Sequence, residues 1–331
     1  MVRTLEDYTR IVEEALRSVC YPSNVESLYE PIRYTVATGG KRLRPVLMLA
    51  TYDWVKNVYE GDVDLSIQKA ALAVELFHNF TLLHDDLMDK SALRRNQPTV
   101  WAKWSPDVAL LSGDAMSILA FAQLADMAYE KVSTVLTLFS DMAHYICQGQ
   151  QLDMEFEEKS DYVTQQEYLS MTEMKTAALF AHSQVIAARL ADADYQVWNQ
   201  LSWTGSMMGQ AFQIQDDLLD TYGTTARLGK ECGDDIVDNK VTFLQIYARD
   251  HANAQQRAEL RACRDCELPR EEKVARVKAV YDAVGVREAT EEKIKGFYDS
   301  ALGHLSRAEK EQGHRHEFLR GILDKLADRE N

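Results

Sequence analysis

Proline is almost absent from the middle of this 331-residue chain: of six prolines, none lies between Pro106 and Pro269. Proline breaks helices and marks turns, so the gap excludes a fold of short, turn-rich elements and leaves room for long helices. Glycine is also sparse, at 15. Cysteine is scarce, scattered and odd in number: Cys20, Cys147, Cys232, Cys263 and Cys266. Such a set makes no disulfide framework. Cys263 and Cys266 form one C-x-x-C in the polar stretch RACRDCELPR. No second pair follows to complete a zinc site and no βαβ pattern surrounds it, so it is read as incidental. Basic residues are outnumbered, 37 against 52 acidic, for a net charge of -15. That argues against general nucleic-acid binding and leaves room for a local basic site. No apolar run approaches the roughly 18 residues that span a bilayer. The start, MVRTLEDYTRIVEEAL, carries acids and no apolar signal core. A cytoplasmic protein without stable membrane insertion is expected.

What is present has helical spacing. Leu72, Leu76, Phe80, Leu83 and Leu87 recur every three or four positions, as do Val135, Leu138, Met142 and Ile146. No strand-like alternation persists. The pattern predicts an all-α fold with helices near 4–20, 25–38, 43–58, 65–91, 107–128, 132–159, 164–190, 194–222 and 241–251, and several shorter ones over 254–329. Loops are expected at Tyr21–Asn24, Thr38–Arg42, Leu93–Pro106 and Gly223–Asn239. No low-complexity linker divides the chain, which reads as one domain over 1–331.

Two of the long helices end in the same acidic pattern, D-D-x-x-D: Asp85, Asp86 and Asp89 in LLHDDLMD, and Asp216, Asp217 and Asp220 in FQIQDDLLD. The first and last aspartates of each lie four apart on one helix face, where like charges repel. A solvated helix end explains one such cluster. Two, each continuing an apolar helix, call for neutralising cations, and magnesium suits carboxylates combined with phosphate oxygens. Basic residues accompany them. GGKRLRP supplies Lys41, Arg42 and Arg44 behind two glycines that let backbone approach an anion. Arg94 and Arg95 follow the first cluster, and arginine's planar fork suits phosphate. Lys175 and Thr176 lie in MTEMKTAALF, and Lys230 and Lys240 follow the second cluster. Each alone is an ordinary surface charge; together they suit a diphosphate. Glu75 and His78 also make an E-x-x-H, a di-iron pattern, but the other candidate, Glu311 with His314, lies in a polar, glycine-containing stretch unsuited to a core helix.

At these residues the sequence resembles the trans-isoprenyl diphosphate synthase family, over roughly Thr38 to Thr242 and in the family's motif order. GGKRLRP, DDLMDKSALRRNQPT, GQQLD (with Gln150 and Asp153), Lys175–Thr176, FQIQDDLLD and the distal Lys230 and Lys240 carry it. The resemblance implies an isoprenoid-synthase-type bundle of long helices around a central cavity, working as a homodimer. It implies that Asp85, Asp89 and Asp216 bind magnesium, three ions once diphosphate is bound, with Asp86, Asp217 and Asp220 in support. Arg94, Lys175, Lys230 and Lys240 would contact the allylic diphosphate. Lys41, Arg44, His78 and Arg95 would bind isopentenyl diphosphate, and Thr176 and Gln213 would lie beside the developing cation. Asn96 departs from a common glycine, Leu244 from a common proline, and the DREN terminus lacks the basic tail of some members.

The implied reaction is a head-to-tail condensation of isopentenyl diphosphate with dimethylallyl, geranyl or farnesyl diphosphate. Two other readings are weighed. A class I terpene cyclase shares the fold and first acidic motif, but the second D-D-x-x-D and GGKRLRP oppose it. A non-catalytic synthase subunit is expected to lose acidic motifs, and this chain keeps both. Product length is expected to depend on residues upstream of Asp85: Phe80 five before it, Thr81 four before, and Phe77, with Phe121 an alternative floor. An aromatic fifth and a small fourth residue resemble geranylgeranyl synthases of the archaeal type. A short product is expected, geranylgeranyl diphosphate ahead of farnesyl diphosphate.

Overall fold

A computed structural model of the chain describes residues 3–223 and 232–327. It is 78% helical. The helices that carry the site are α1 (Leu5–Arg17), α2 (Glu26–Ala37), α3 (Leu43–Lys56), α4 (Leu65–Met88), α5 (Val100–Lys103), α6 (Pro106–Ala125), α7 (Tyr129–Glu158), α8 (Gln165–Thr172), α9 (Ala178–Leu190) and α10 (Tyr195–Tyr222). The proline-free stretch thus supplies helices of 30 and 28 residues, α7 and α10. The chain divides into two compact units: Met1–Met142 with Leu179–Gly205 and His304–Ile322, and Ala143–Ala178 with Ser206–Gly303 and Leu323–Asn331.

In the first unit, α4 starts where its cap dictates. The Asp64 carboxylate accepts from the Ser66 amide at 2.7 Å, satisfying one of the donors that open a helix. Residues Ala70–Phe77 of α4 are buried without a break, so the helix is enclosed on all sides there, against α3 and α6. By length and composition α6 could cross a membrane, though no uninterrupted apolar run has that length, since Asp114 interrupts it; 33% of its most apolar window is buried. Its outward stripe of Leu110, Leu111 and Ile118 is exposed.

Three expectations need correcting. The loop expected over Leu93–Pro106 contains a two-stranded antiparallel hairpin, β1 (Leu93–Arg94) and β2 (Gln97–Pro98), followed by α5. Its two turn residues, Arg95 and Asn96, have φ 52° and 60°. Positive φ at both positions defines the tight turn that matches strand twist, and asparagine tolerates it nearly as well as glycine. The departure at Asn96 therefore leaves the loop geometry intact. The helix expected over 164–190 is interrupted by a π-helical turn at Glu173–Ala177. In the second unit, the expected shorter C-terminal helices include one of 27 residues, Val286–Gln312, whose N-terminal part lies in this unit.

Candidate active site

In the first unit the basic loop, the hairpin and the end of α4 come together. Gly39 and Gly40 have φ 77° and 144°, and a Cβ on Gly40 would lie 2.8 Å from the Arg95 guanidinium. Arg95 donates to the Gly39 carbonyl, so the glycines let GGKRLRP close on the hairpin. Arg42, the left-handed cap of α3, is buried and donates to Glu75 (2.7 Å), Glu13 (2.8 Å) and the Val36 carbonyl (2.7 Å). Glu75 also accepts from Asn79 at 2.9 Å, so the E-x-x-H glutamate is committed to an arginine. Three residues on, His78 faces Arg44, with Nη1 3.0 Å from Nε2. Burial, then Arg44, Arg95, Arg94 and Arg42, hold the His78 pKa well below its usual range. A neutral imidazole accepts from Arg44, which can only donate. The Arg44 guanidinium also lies 4.3 Å from the Phe180 ring centroid, a cation–π contact that steadies it. Lys41 is exposed.

The three aspartates of the first cluster differ. Asp86 is buried, and both its oxygens accept from Arg94 Nε, at 2.8 and 2.9 Å. Burial raises the Asp86 pKa although Arg94 opposes it. Asp85 and Asp89 are half-buried and one turn apart. Upstream, an aromatic series crosses three helices: Phe80 to Phe77 (5.1 Å between centroids), Phe77 to Phe139 (5.3 Å) and Phe139 to Phe121 (5.1 Å). Phe139 is fully buried and was missed in the sequence, because a phenylalanine on a core helix carries no local signal. The Thr81 hydroxyl turns back onto the His78 carbonyl at 2.8 Å.

In the second unit the π-helical turn carries Lys175 and Thr176. A Cβ on Gly149 of α7 would lie 2.3 Å from the Lys175 amide nitrogen, so glycine lets the wide turn sit against α7. Lys175 pairs with Asp153 at 2.6 Å, joining the GQQLD and KT motifs. Thr176 donates to Gln213 Oε1 at 2.7 Å, and Gln213 Nε2 donates to Asp217 at 2.9 Å. The other Asp217 oxygen accepts from the Tyr168 hydroxyl at 2.5 Å. Burial raises Asp217 to about 6, against the pull of those two donors. Asp220 is buried and accepts from the Asp235 amide at 3.0 Å, while Asp216 is half-buried. Lys240 is half-buried just beyond Asp235, whose carbonyl accepts its amide at 2.9 Å. Lys230 lies outside the described residues.

Among the described residues, no three His, Cys, Asp or Glu side chains converge to hold a metal unaided. The paired half-buried carboxylates Asp85 and Asp89 are nonetheless hard oxygen donors. They fit a magnesium ion that keeps water and phosphate oxygens in its shell.

The polyprenyl synthetase family profile matches residues 25–284. The geranylgeranyl diphosphate synthase of Methanosarcina mazei is 38% identical over 250 residues, 75% of this chain and 75% of its own length. The geranylfarnesyl diphosphate synthase of Natronomonas pharaonis is 38% identical over 253 residues, 72% of this chain and 74% of its own. A solved geranylgeranyl pyrophosphate synthase superposes with a TM-score of 0.85 at 32% identity, covering 95% of this chain and 100% of that one. The duplicated acidic helix ends, the basic loop closed on the hairpin and the KT turn thus occur in a chain that belongs to the polyprenyl synthetase family, the prenyl diphosphate synthases.

Proposed function

We propose that this chain condenses isopentenyl diphosphate with dimethylallyl, geranyl or farnesyl diphosphate and releases a short trans-prenyl diphosphate and pyrophosphate. The observation that carries this reading is the division of labour within each acidic cluster. At least one aspartate is buried and bonded by the protein, Asp86 in the first cluster and Asp217 and Asp220 in the second, and at least one more stays half-buried. Asp85, Asp89 and Asp216 serve the metal, and Asp86, Asp217 and Asp220 brace them. Magnesium, when bound, supplies Lewis-acid charge that turns the allylic diphosphate into a leaving group. Lys175, Lys230, Lys240 and Arg94 add fixed positive charge to the same diphosphate. Lys41, Arg44, His78 and Arg95 hold isopentenyl diphosphate; the neutral His78 orients Arg44 without adding charge. Thr176 and Gln213 lie beside the reacting carbon. Apolar residues upstream of Asp85 shield the allylic cation from water. Phe80, backed by Phe77, ends the pocket, with Thr81 beside it, for a geranylgeranyl or farnesyl product.

A homodimer belongs to the same reading. The exposed face of α6 combines Leu110, Leu111 and Ile118 with Asp107 and Asp114. Two carboxylates on that face are costly in a bilayer core and acceptable at a protein interface, so a second copy is assigned to it. A cytoplasmic enzyme without stable membrane insertion belongs to the same reading, and the acidic composition argues against nucleic-acid partners.

Turnover with dimethylallyl, geranyl and farnesyl diphosphates, each with and without isopentenyl diphosphate, tests the reading. Chain elongation that requires isopentenyl diphosphate is expected. Cyclised hydrocarbon made without it would point to a terpene cyclase. No turnover in either arm would point to a non-catalytic subunit. Arg44→Ala should chiefly raise the KM for isopentenyl diphosphate; a rise confined to the allylic KM would reverse the assignment.

A further inference from the structure

We infer that Tyr168 is a positioning residue of the second acidic cluster, locking Asp217 beside the half-buried Asp216 and holding the Gln213–Thr176 pair to one polarity. The inference rests on the proposed function, since it assigns Asp216 to the metal and Thr176 to the reacting carbon.

Tyr168 is 2% exposed, and no motif points to it. A phenol so enclosed needs a partner for its proton, and it donates to Asp217 at 2.5 Å, a short charge-assisted bond. Gln213 Nε2 occupies the other Asp217 oxygen. With its nitrogen committed there, the Gln213 amide can only turn its oxygen to Thr176, and it accepts the Thr176 proton at 2.7 Å. The direction of every bond from Tyr168 to Thr176 is thereby set. Thr176 spends its one proton inward and keeps only lone pairs for a neighbour, the polarity that suits a cation rather than an anion.

The first cluster holds its corresponding aspartate differently. Asp86 is bonded by the cationic Arg94, whereas Asp217 is bonded by a phenol and an amide, both neutral. A cationic lock cancels a charge. A neutral lock fixes the carboxylate and leaves the negative charge of the cluster to attract divalent ions. Without the phenol, Asp217 would lose half of its bracket and turn toward any cation beside Asp216.

Tyr168→Phe keeps the ring and removes only the donor. Tyr298→Phe is the control: Tyr298 is equally buried, and its hydroxyl reaches the same helix at Gln215, 3.1 Å away, outside the acidic cluster. Calorimetry of inorganic pyrophosphate binding to the intact enzyme across a magnesium titration is the first readout, and steady-state kinetics the second. Tyr168→Phe should raise the magnesium concentration at half-saturation about tenfold, the loss expected for one hydrogen bond to a charged group. It should also lower kcat while leaving the isopentenyl diphosphate KM unchanged. Tyr298→Phe should change none of these. A wild-type magnesium dependence in Tyr168→Phe, or an equal shift in Tyr298→Phe, would overturn the inference. If the wild-type enzyme elongates no prenyl chain, the proposed function fails by itself, and the calorimetry still decides the role of Tyr168.

Discussion

Arg42 and Glu75 form a buried ion pair, Nη1 to Oε1 at 2.7 Å, with side chains 1% and 4% exposed. Around it, Arg42 also holds Glu13 of α1 and the last turn of α2 through the Val36 carbonyl. One guanidinium therefore ties the start of α3, and with it Lys41 and Arg44, to three other helices. Glu75→Gln leaves the arginine with less compensation in a dry site. Breaking a buried pair from one side costs about 3–5 kcal/mol. Thermal or urea denaturation should show a loss of that order, and the isopentenyl diphosphate KM should rise through displacement of Arg44. A variant of unchanged stability would mean that Glu13 alone balances Arg42.

Asp85→Ala or Asp216→Ala should lower turnover by about three orders of magnitude, the equivalent of several kcal/mol of lost charge stabilisation at the leaving group. Far-ultraviolet circular dichroism should stay unchanged, because both carboxylates are half-buried at helix ends. EDTA should abolish turnover and magnesium restore it. Full activity in EDTA would remove the metal from the reading.

Phe80→Ala should shift the products beyond the wild-type length, because the space it opens lets the next apolar unit gain burial. Chromatography of the dephosphorylated products would show it. Phe77 and Phe139 stand behind Phe80 in the aromatic series, so the lengthening should be larger in a Phe80→Ala, Phe77→Ala double variant. An unchanged distribution in an active Phe80→Ala enzyme would move the stop elsewhere. A wild-type product well beyond geranylgeranyl diphosphate would refute the short-product reading itself.

Ile118 is 67% exposed in the middle of the α6 stripe. If a second copy covers that face, Ile118→Asp should convert a dimer into a monomer in light scattering at unchanged helix content. A wild-type monomer at micromolar concentration would refute the interface.

His316 is buried and stacked on Trp54, rings 4.8 Å apart, and burial lowers its pKa to about 3. Its folded pKa lies below the ordinary histidine value of about 6.5, so its contribution is fully present above that pH and is lost as pH falls from there toward about 3. Over that window stability should fall by up to about 1.4 kcal/mol per pH unit from this group. His316→Asn, which keeps a capping side chain at the start of the last helix, should flatten the acid side of a Tm-against-pH curve. An equal slope in the variant would place the acid sensitivity elsewhere.

Helix identity was legible where periodicity and caps agreed. The spacing of Leu72, Leu76, Phe80, Leu83 and Leu87 predicts a helix from residue 65, and the Asp64 cap starts α4 at Leu65. The π-helical turn was not legible, because a single extra residue shifts the apolar phase by one position, within the scatter of an i, i+3, i+4 pattern. The hairpin was hidden because its strands are two residues each, too short for alternation to register. The length of Val286–Gln312 was underestimated because that helix is polar and contains two glycines.

For the site, the sequence alone determined which groups carry charge: two acidic triplets, a glycine-led basic run, an arginine pair and a lysine–threonine pair, in one family's order. Those are chemical identities, and the chain states them residue by residue. Tertiary structure decided which of them are spent. Asp85 and Asp86 are neighbours of the same type, yet only Asp86 turns inward to Arg94. Arg42 and Arg44 are two apart, yet one is locked in a buried pair and the other rests on His78 and Phe180. Tyr168 lies 49 residues from Asp217 and meets it only when α8 packs against α10. Burial and hydrogen-bond partners belong to the packed state, so no local pattern distinguishes the buried aspartate from its half-buried neighbour.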